Sequence, residues 1–470
     1  MTGKFRALLA ALIVVIAASA GALYIGYRNG VQAAQAPTLS YNVATTGDVR
    51  SLFDSGSGQA QLLDVAVRKL ETNFYKPVDP QDPIRGEEKE LTQYLQTKNI
   101  AKPQLPAESA TGNPAQDGSL LANVLQYAQA HYGSKLGSGG GTDLTETALR
   151  GVMNSVKDPY TVYLSPHEMQ GLSESLSGGN FGGIGVYIYQ LKSGEVILQP
   201  IEGLPASRAG MKPGEVVDTV NGRPIKGITL DTVERMIRGD AGSNVTITTH
   251  VYKNASEHRY SIVREIIHVP TVRAKMEDGF DYIRLSDFGE TSADEMRKAL
   301  IDGKTKGAKG YILDLRDNGG GLVDAAVKIS SYFIPQGVIV STIDRAGNKD
   351  SQEALGDALG GLQPLVILVN KYTASASEIT SGALQDYHLA KLVGTKTFGK
   401  GVVQSIYPMP DDGALKITTA RYVTPLGRDI QHKGIDPDVL VPQSVDPALI
   451  DTPADKQLIA AKAQLQQLLR

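Results

Sequence analysis

Apolar residues in the first third of the chain recur every three or four positions, which predicts amphipathic helices rather than strands. The first helix is carried by Leu63, Ala66, Val67, Leu70 and Phe74. A second is centred on Leu121–Tyr132, and a third is expected to begin at Asp143, because Asp143 and Glu146 have the spacing of a capping box. Residues 76–118 are rich in proline and polar groups, with one short predicted helix near Glu87–Lys98.

Beyond about residue 171 the pattern changes to short apolar runs separated by glycine turns, which predicts strands. The predicted strands are Gly185–Tyr189, Val196–Gln199, Val216–Val220, Val245–Val251 and His258–Val263, with a helix at Leu230–Ile237. After residue 266, apolar runs of strand length alternate with helical stretches, which is typical of a sheet with crossover helices. These runs are Tyr311–Leu315, Val338–Thr342 and Leu365–Val369. We therefore expect a mixed α/β protein with a β-rich domain at 171–265 and an α/β core at 266–445.

A further helix is predicted in residues 446–470. Thr452 is expected to be its N-cap and Pro453 its first residue, since proline is favoured at that position. Its apolar face comprises Leu458, Ala461, Leu465 and Leu468. Amphipathic helices near both ends are compatible with a homodimer and equally with packing on their own chain.

The N-terminal residues predict export. Lys4 and Arg6 precede an uncharged run of 21 residues, Ala7–Tyr27, which is long enough to cross a bilayer core of about 20 residues. Positive charge before the run keeps the N-terminus cytoplasmic and sends the rest of the chain outside. We expect residues 1–30 to be a membrane anchor, followed at 31–170 by a linker and the helical region. The alternative is a cleaved signal peptide, cut after the small residues 18–20 or 34–36, which would give a secreted protein.

The composition argues against several classes of functional site. The 470 residues carry 47 Lys and Arg against 50 Asp and Glu, a net charge of −3, so nucleic acid is not an expected partner. The absence of cysteine excludes disulfides, thiolate metal sites and cysteine nucleophiles. No spacing typical of zinc ligands occurs, and we expect neither a metal nor an organic cofactor.

Two glycine-rich segments can present backbone N–H groups. Phe181–Val186 is a glycine loop that leads into a strand, an arrangement that can bind a carboxylate or form a simple turn. Asp314–Leu322 follows a predicted strand and leads through three glycines toward a helix, which suits an oxyanion or is an ordinary connection.

Two further segments carry nucleophile and base candidates. Ser375 follows the strand Leu365–Val369 at the predicted start of a helix, where it is either an exposed nucleophile or a helix cap. Lys400 lies in Gly394–Gly401, which imitates a phosphate-binding loop but has glycine in place of the following Ser or Thr. Enclosure of Lys400 would lower its pKa and give a neutral amine able to accept a proton.

Gln404 would share a strand face with Lys400 and could bind its amine. In a competing Ser–His arrangement, the nearest candidate bases by sequence are His388 and His432.

Taken together, these segments resemble the carboxyl-terminal processing proteases, serine peptidases with an embedded PDZ domain. The resemblance covers about Leu144–Val441 and includes five motifs: Asp158–Leu164, Phe181–Val186, Pro205–Gly214 with Val220–Gly222, Thr373–Glu378, and Gly399–Gly401 with Gln404. Lys400 follows Ser375 by 25 residues, as in that family. Relative to the family, residues 76–142 look like an insertion between helices.

The resemblance implies a crotonase-like protease core and specific roles. Ser375 would be the nucleophile, Lys400 the general base and Gln404 its support. The oxyanion hole would combine the N–H of Ala376 with one from Gly320 or Gly321. A substrate's apolar C-terminus would dock at Gly183, Ile184, Gly185 and Val186, and Arg238 would contribute to regulation by the PDZ domain.

These expectations describe an extracytoplasmic serine endopeptidase that cuts protein substrates near the C-terminus. The alternative is a PDZ adaptor or chaperone with a degenerate protease core.

Overall fold

The computed structural model describes residues 56–137, 140–177, 181–191, 194–251, 256–362, 364–442 and 450–470. The expected anchor at Ala7–Tyr27, both cleavage sites and the linker as far as residue 55 lie outside these residues. Within the described ranges, no helix has both the length and the apolarity that crossing a bilayer requires.

The N-terminal region folds as a cluster of helices around a shared apolar core. The helices are α1 (Gly56–Asn73), α2 (Gln81–Thr97), α3 (Pro114–Tyr132) and α4 (Gly140–Asn154). Leu63, Leu91 and Leu125 are fully buried in that core. Most of the segment 76–142 therefore consists of two helices that pack in the core, and the helix expected near Glu87–Lys98 begins earlier.

Helix α4 begins three residues before Asp143, which corrects the expected start. The carboxylate of Asp143 does not cap the helix but accepts a hydrogen bond of 2.8 Å from the hydroxyl of Tyr94 on α2. Strand β1 (Val162–Leu164) and helix α5 (Pro166–Leu176) follow.

Residues Glu174–Pro270 form a compact unit with a core of its own. Its elements are β2 (Phe181–Gly183), β3 (Val186–Gln190), β4 (Val196–Pro200), α6 (Pro205–Arg208), β5 (Glu215–Val220), β6 (Arg223–Pro224), α7 (Leu230–Ile237), β7 (Asn244–Val251), β8 (Glu257–Val263) and β9 (Glu265–Ile267). The main sheet has the order β3-β4-β5-β7-β8, with β6 paired to β5, so β3 lies at an edge.

The other unit combines the residues up to Ser173 with those from Thr271 onward. Its later elements are β10 (Val272–Glu277), β11 (Phe280–Leu285), α8 (Ser292–Thr305), β12 (Tyr311–Asp314), α9 (Val323–Ser331), β13 (Val338–Asp344), β14 (Lys349–Glu353), β15 (Leu365–Val369), α10 (Ala376–Asp386), β16 (Lys391–Gly394), β17 (Val402–Pro408), β18 (Ala414–Val423), β19 (Val439–Leu440) and α11 (Lys456–Leu468). The expected mixed α/β class is confirmed.

Two sheets organise this unit. One has the order β10-β11-β12-β15-β16-β19, with parallel pairing from β11 to β19. The other is antiparallel, in the order β1-β18-β13-β14 with β17 beside β18. Because β12 and β15 are parallel neighbours, the loops after their carboxyl ends lie at the same edge of the sheet. This topology brings the loop of Gly320 next to that of Ser375.

Helix α11 differs from the sequence expectation at its start. Its N-cap is Asp455, whose carboxylate accepts hydrogen bonds from the backbone N–H groups of Gln457 (3.0 Å) and Leu458 (3.2 Å). Thr452 lies outside the helix, since a turn precedes Asp455 and the first helical residue is Lys456. Leu458, Ala461 and Leu465 are buried as expected, whereas Leu468 is 44% exposed.

Candidate active site

Ser375 occupies a tight turn between β15 and α10, where it is the N-cap residue of the helix. Its φ of 58° is in the left-handed region, a conformation that costs a non-glycine residue roughly 1–3 kcal/mol. The side chain is fully buried, and in the described part of the chain its Oγ has no hydrogen-bond partner. Strain and an unsatisfied hydroxyl are typical of a functional position.

Lys400 lies between β16 and β17 and is only 4% exposed. Burial lowers the pKa of its ammonium to about 7, and the positive charge of Lys416 contributes in the same direction. The carboxylates of Asp158 and Glu378 oppose this shift. The amine nitrogen stands 4.7 Å from the ring centroid of Tyr160, which covers it on one side. Near neutral pH a substantial fraction of Lys400 is therefore a neutral amine.

Glu378 joins the serine turn to the lysine segment, a role that the sequence analysis missed. Its Oε2 accepts the backbone N–H of Ser375 at 3.0 Å and that of Lys400 at 2.9 Å. Its Oε1 accepts the N–H of Gly399 at 2.8 Å and the hydroxyl of Thr397 at 2.5 Å. One buried carboxylate thus holds the backbones of Ser375 and Lys400 together.

The only sequence signal for Glu378 was its place three residues after Ser375, where an N-cap is often answered by a glutamate. Nothing local indicated that the same carboxylate would bind residues about twenty positions later. Burial raises the pKa of Glu378, and its hydrogen bonds act against that shift.

Gln404 is fully buried on β17 and faces Thr418 of β18. Its Nε2 donates to Thr418 Oγ1 at 3.4 Å, while its Oε1 has no partner among the described residues. The strand begins at Val402 and is irregular between Val403 and Gln404, so the simple alternation expected from Lys400 to Gln404 does not apply. Both side chains are nevertheless buried.

The glycine loop after β12 lies directly against the serine turn. Gly320 has a φ of 105°. A Cβ added to it would lie 2.7 Å from Ser375 Cβ and 2.9 Å from the backbone nitrogen of Ala376. Only glycine permits this approach. The N–H of Gly320 donates to Asn318 Oδ1 at 2.9 Å, so it is already engaged. Gly321 follows with a φ of 140° and forms a bridge to Phe288.

The expected carboxylate loop in residues 174–270 is divided between two strands and a turn. Gly183 ends β2, where it pairs with Glu265, and Val186 opens the edge strand β3. Ile184 is buried in the core of this unit. Gly185 has a φ of 72° and packs against Leu204. A Cβ added to Gly185 would lie only 2.4 Å from Leu204 Cβ.

Arg238 lies at the C-terminal end of α7. Its guanidinium pairs with Glu174 and Glu234, both in the same unit.

The two histidine candidates do not reach the serine. His388 and His432 are exposed, and both stand in turns with positive φ. Since Ser375 Oγ has no partner in the described ranges, neither histidine is bound to it. Among the described residues, no cluster of three or more His, Asp or Glu side chains could hold a metal ion.

Comparison with known proteins gives two family matches. Residues 280–441 match peptidase family S41, and residues 196–249 match the PDZ domain. A carboxy-terminal-processing protease of Bartonella bacilliformis is 38% identical over 306 residues, which are 64% of this chain and 70% of that protein.

A probable CtpA-like serine protease of Staphylococcus aureus is 37% identical over 323 residues, 68% of this chain. That alignment spans 64% of the length of the relative, just under two thirds. Among solved structures, a photosystem II D1 C-terminal processing protease aligns at 26% identity with a TM-score of 0.46, covering 87% of this chain and 97% of that one.

Proposed function

This chain belongs to the carboxy-terminal-processing proteases, which confirms the resemblance read from its motifs, and on that premise we propose that it is a serine endopeptidase with a Ser–Lys dyad. One observation carries the proposal. Glu378 binds the backbone N–H groups of both Ser375 and Lys400, and Lys400 is buried with a pKa of about 7. A nucleophile and a base are thus supplied by two segments tied to one carboxylate.

In the proposed mechanism, the neutral amine of Lys400 accepts the proton of Ser375 as Oγ attacks the scissile carbonyl. The resulting ammonium then protonates the leaving amine, which completes acylation. In the second half of the reaction, water attacks the acyl-enzyme and gives its proton to neutral Lys400, which then returns it to the departing Ser375 Oγ as the acid product leaves. In the same proposal Gln404 Oε1, which has no partner among the described residues, accepts a hydrogen bond from the Lys400 nitrogen during the reaction and holds it in place.

The oxyanion is stabilised in this proposal by backbone N–H groups at the start of α10 and in the adjacent glycine loop. Ala376 supplies the first donor. Because the N–H of Gly320 is engaged by Asn318, Gly321 is the better candidate for the second. Loss of one such donor typically costs roughly 3–4 kcal/mol of barrier.

We further propose that the PDZ domain docks the apolar C-terminus of a protein substrate. Support comes from the edge position of β3, which leaves a strand side for peptide pairing, and from the glycine turn at Gly185 that precedes it. Substrates with apolar tails would then be cut near that end. Arg238, whose pairs with Glu174 and Glu234 fix the end of α7, is the proposed regulatory residue.

The N-terminal run Ala7–Tyr27 supports a location outside the cytoplasm, with the chain anchored in the membrane or released if the run is cleaved. Extraction of cell membranes at alkaline pH checks this proposal, because an anchored protein stays in the pellet and a secreted one is found in the medium. We make no proposal for dimerisation, since α1 and α11 bury most of their apolar faces within their own chain.

The test of activity is cleavage of a peptide with an apolar C-terminus, with products mapped by mass spectrometry. Wild type should cut it, while Ser375→Ala and Lys400→Ala should lose nearly all turnover. Lys396→Ala is the matched control, because Lys396 is an exposed lysine of the same segment.

Turnover that survives Lys400→Ala would contradict the dyad. An inactive wild type that still binds the peptide would favour the non-catalytic PDZ adaptor instead.

A further inference from the structure

Gln404 is connected, through one hydroxyl, to a carboxylate that the proposed mechanism does not use. Thr418 Oγ1 lies 3.4 Å from Gln404 Nε2 and 2.6 Å from Asp158 Oδ2. Thr418 is fully buried on β18, directly opposite Gln404 in the strand register. Asp158 stands in the turn between α4 and β1.

The donors and acceptors present determine the direction of the two hydrogen bonds made by Thr418 Oγ1. A carboxylate can only accept, and a hydroxyl carries one proton, so Thr418 donates to Asp158. Thr418 Oγ1 is then left with lone pairs, and the group facing it from Gln404 must be the NH₂. The Oε1 of Gln404 is therefore turned away from Thr418, and it is the buried atom without a partner among the described residues.

A second hydroxyl holds the carboxylate in position. Thr161 Oγ1 donates to the same Asp158 Oδ2 at 2.7 Å and accepts the backbone N–H of Thr418 at 3.1 Å. Thr161 is also fully buried. Asp158 thus receives two hydroxyl donors and is tied to β18 through both.

We propose that Asp158 and Thr418 are positioning residues that fix the orientation of the Gln404 carboxamide so that its oxygen faces the Lys400 amine. This inference rests on the Ser–Lys mechanism proposed above. A neutral amine has two N–H donors and one lone pair. An N–H given to Gln404 Oε1 leaves the lone pair for the hydroxyl of Ser375. With the carboxamide reversed, its NH₂ would donate to that lone pair and occupy the base.

Thr418→Val keeps the shape of the side chain and removes the hydroxyl. The released carboxamide can turn its NH₂ toward Lys400, which disfavours the ammonium. We expect kcat to fall roughly 10- to 100-fold, as positioning errors commonly cost, with KM unchanged. The midpoint of the acid limb of the pH–rate profile should move to lower pH, because an NH₂ that donates to the Lys400 lone pair favours the neutral amine. The other groups that act on this amine are Lys416, Glu378, Tyr160 and Asp158, and of these only Asp158 loses a hydrogen bond in the variant. Thr418→Ser should restore both kcat and the midpoint.

Thr419→Val is the matched control. It removes a hydroxyl from the next position of the same strand, and that hydroxyl pairs with Ser405 Oγ at 3.1 Å rather than with Gln404 or Asp158. It should lower thermal stability and leave the midpoint of the pH profile in place. If Thr418→Val fails to fold, Thr418→Ala, which adds no bulk, replaces it in every comparison.

A double-mutant cycle separates action through Gln404 from a general structural effect. In the Gln404→Ala background, Thr418→Val should lower kcat by less than twofold. A full loss in that background, or an unchanged kcat and midpoint in the single variant, would overturn this inference. Either result leaves the dyad intact as long as Lys400→Ala is inactive, so the two proposals fail separately.

Discussion

Burial gives Lys400 a pKa of about 7, and this makes the rate of the proposed reaction depend on pH. The amine is active only after it loses its proton, so kcat/KM should rise with pH and reach half of its plateau near pH 7. Peptide cleavage measured across pH 5–9, with circular dichroism to confirm folding, checks this expectation. A rate that does not change over that range would be incompatible with a lysine base.

The same buried lysine affects folding stability, and the sign follows from linkage. Between the folded pKa of about 7 and the ordinary value of 10.5, the unfolded chain binds more protons, so the free energy of unfolding rises with pH. Lys400→Met should therefore be more stable than wild type at pH 7, with the gain shrinking toward pH 10.5. Denaturant titrations of both proteins over that range measure it.

The exposed Lys396→Met is the control for this comparison. Its effect should be small and the same at every pH. A pH-independent gain for Lys400→Met would mean that better packing, rather than removal of a buried charge, explains the difference.

Glu378→Gln tests whether the carboxylate aligns the serine and lysine segments. Four donors converge on its two oxygens, and a glutamine must turn an NH₂ toward two of them. We expect a loss of about 1–3 kcal/mol in unfolding free energy and a fall in kcat of roughly 100-fold from misplacement of the reacting groups. A stable variant with full kcat would show that the carboxylate aligns nothing.

At the scale of elements, sequence patterns predicted what is periodic and local. The helix Leu230–Ile237 and the strand Leu365–Val369 have the predicted limits. An apolar spacing of three to four residues marks the helix, and an unbroken apolar run that is buried at every position marks the strand. The predicted start of α11 was wrong. Thr452 and Asp455 are both residue types that can cap a helix, and we attribute the choice of Asp455 to its contact with a distant arginine. The role of Glu378 could not be predicted for the same reason, because its partners at 397–400 are distant in sequence and are brought to it by packing.

That arginine is Arg316, the fully buried side chain at the end of β12. It donates to Asp314 (2.9 and 2.6 Å) and to Asp455 (2.8 Å) and Gln457 (3.1 Å) at the start of α11. Asp455→Ala would remove a helix cap and leave the guanidinium with one carboxylate fewer. We expect a loss of about 3 kcal/mol or more, measured by thermal or denaturant unfolding.

Thr452→Ala is the matched control, since Thr452 lies just before the helix. It should cost less than about 1 kcal/mol. If it cost more than Asp455→Ala, the cap would lie at Thr452 as the sequence pattern predicted.

At the scale of the whole molecule, residues 174–270 are inserted into the other unit and have their own core. The excised segment should therefore unfold cooperatively on heating and bind a peptide with an apolar, free C-terminus. An amidated copy of that peptide should bind at least tenfold more weakly, because the carboxylate is lost. Calorimetry and titration of the isolated segment measure both. A segment that melts without a transition would show that its core is insufficient alone.

The change to short apolar runs predicts a β-rich domain at 171–265, and the compact unit of the structure runs from Glu174 to Pro270. The helical region was predicted in part. The helices expected near Glu87–Lys98 and at Leu121–Tyr132 are present as α2 and α3, but α2 begins at Gln81 and α3 at Pro114. Residues 76–118 are rich in proline and polar groups, so apolar spacing does not mark those first turns.

The pairing of Arg316 with Asp455 has a consequence for biosynthesis. The two residues are 139 positions apart, and a ribosome adding roughly 5–20 residues per second needs on the order of ten seconds to make that stretch. During this time the guanidinium has Asp314 but lacks the carboxylate of Asp455 and the side chain of Gln457. The buried charge of Arg316 is therefore fully compensated only near the end of synthesis, and we expect this end of β12 to reach its full stability late.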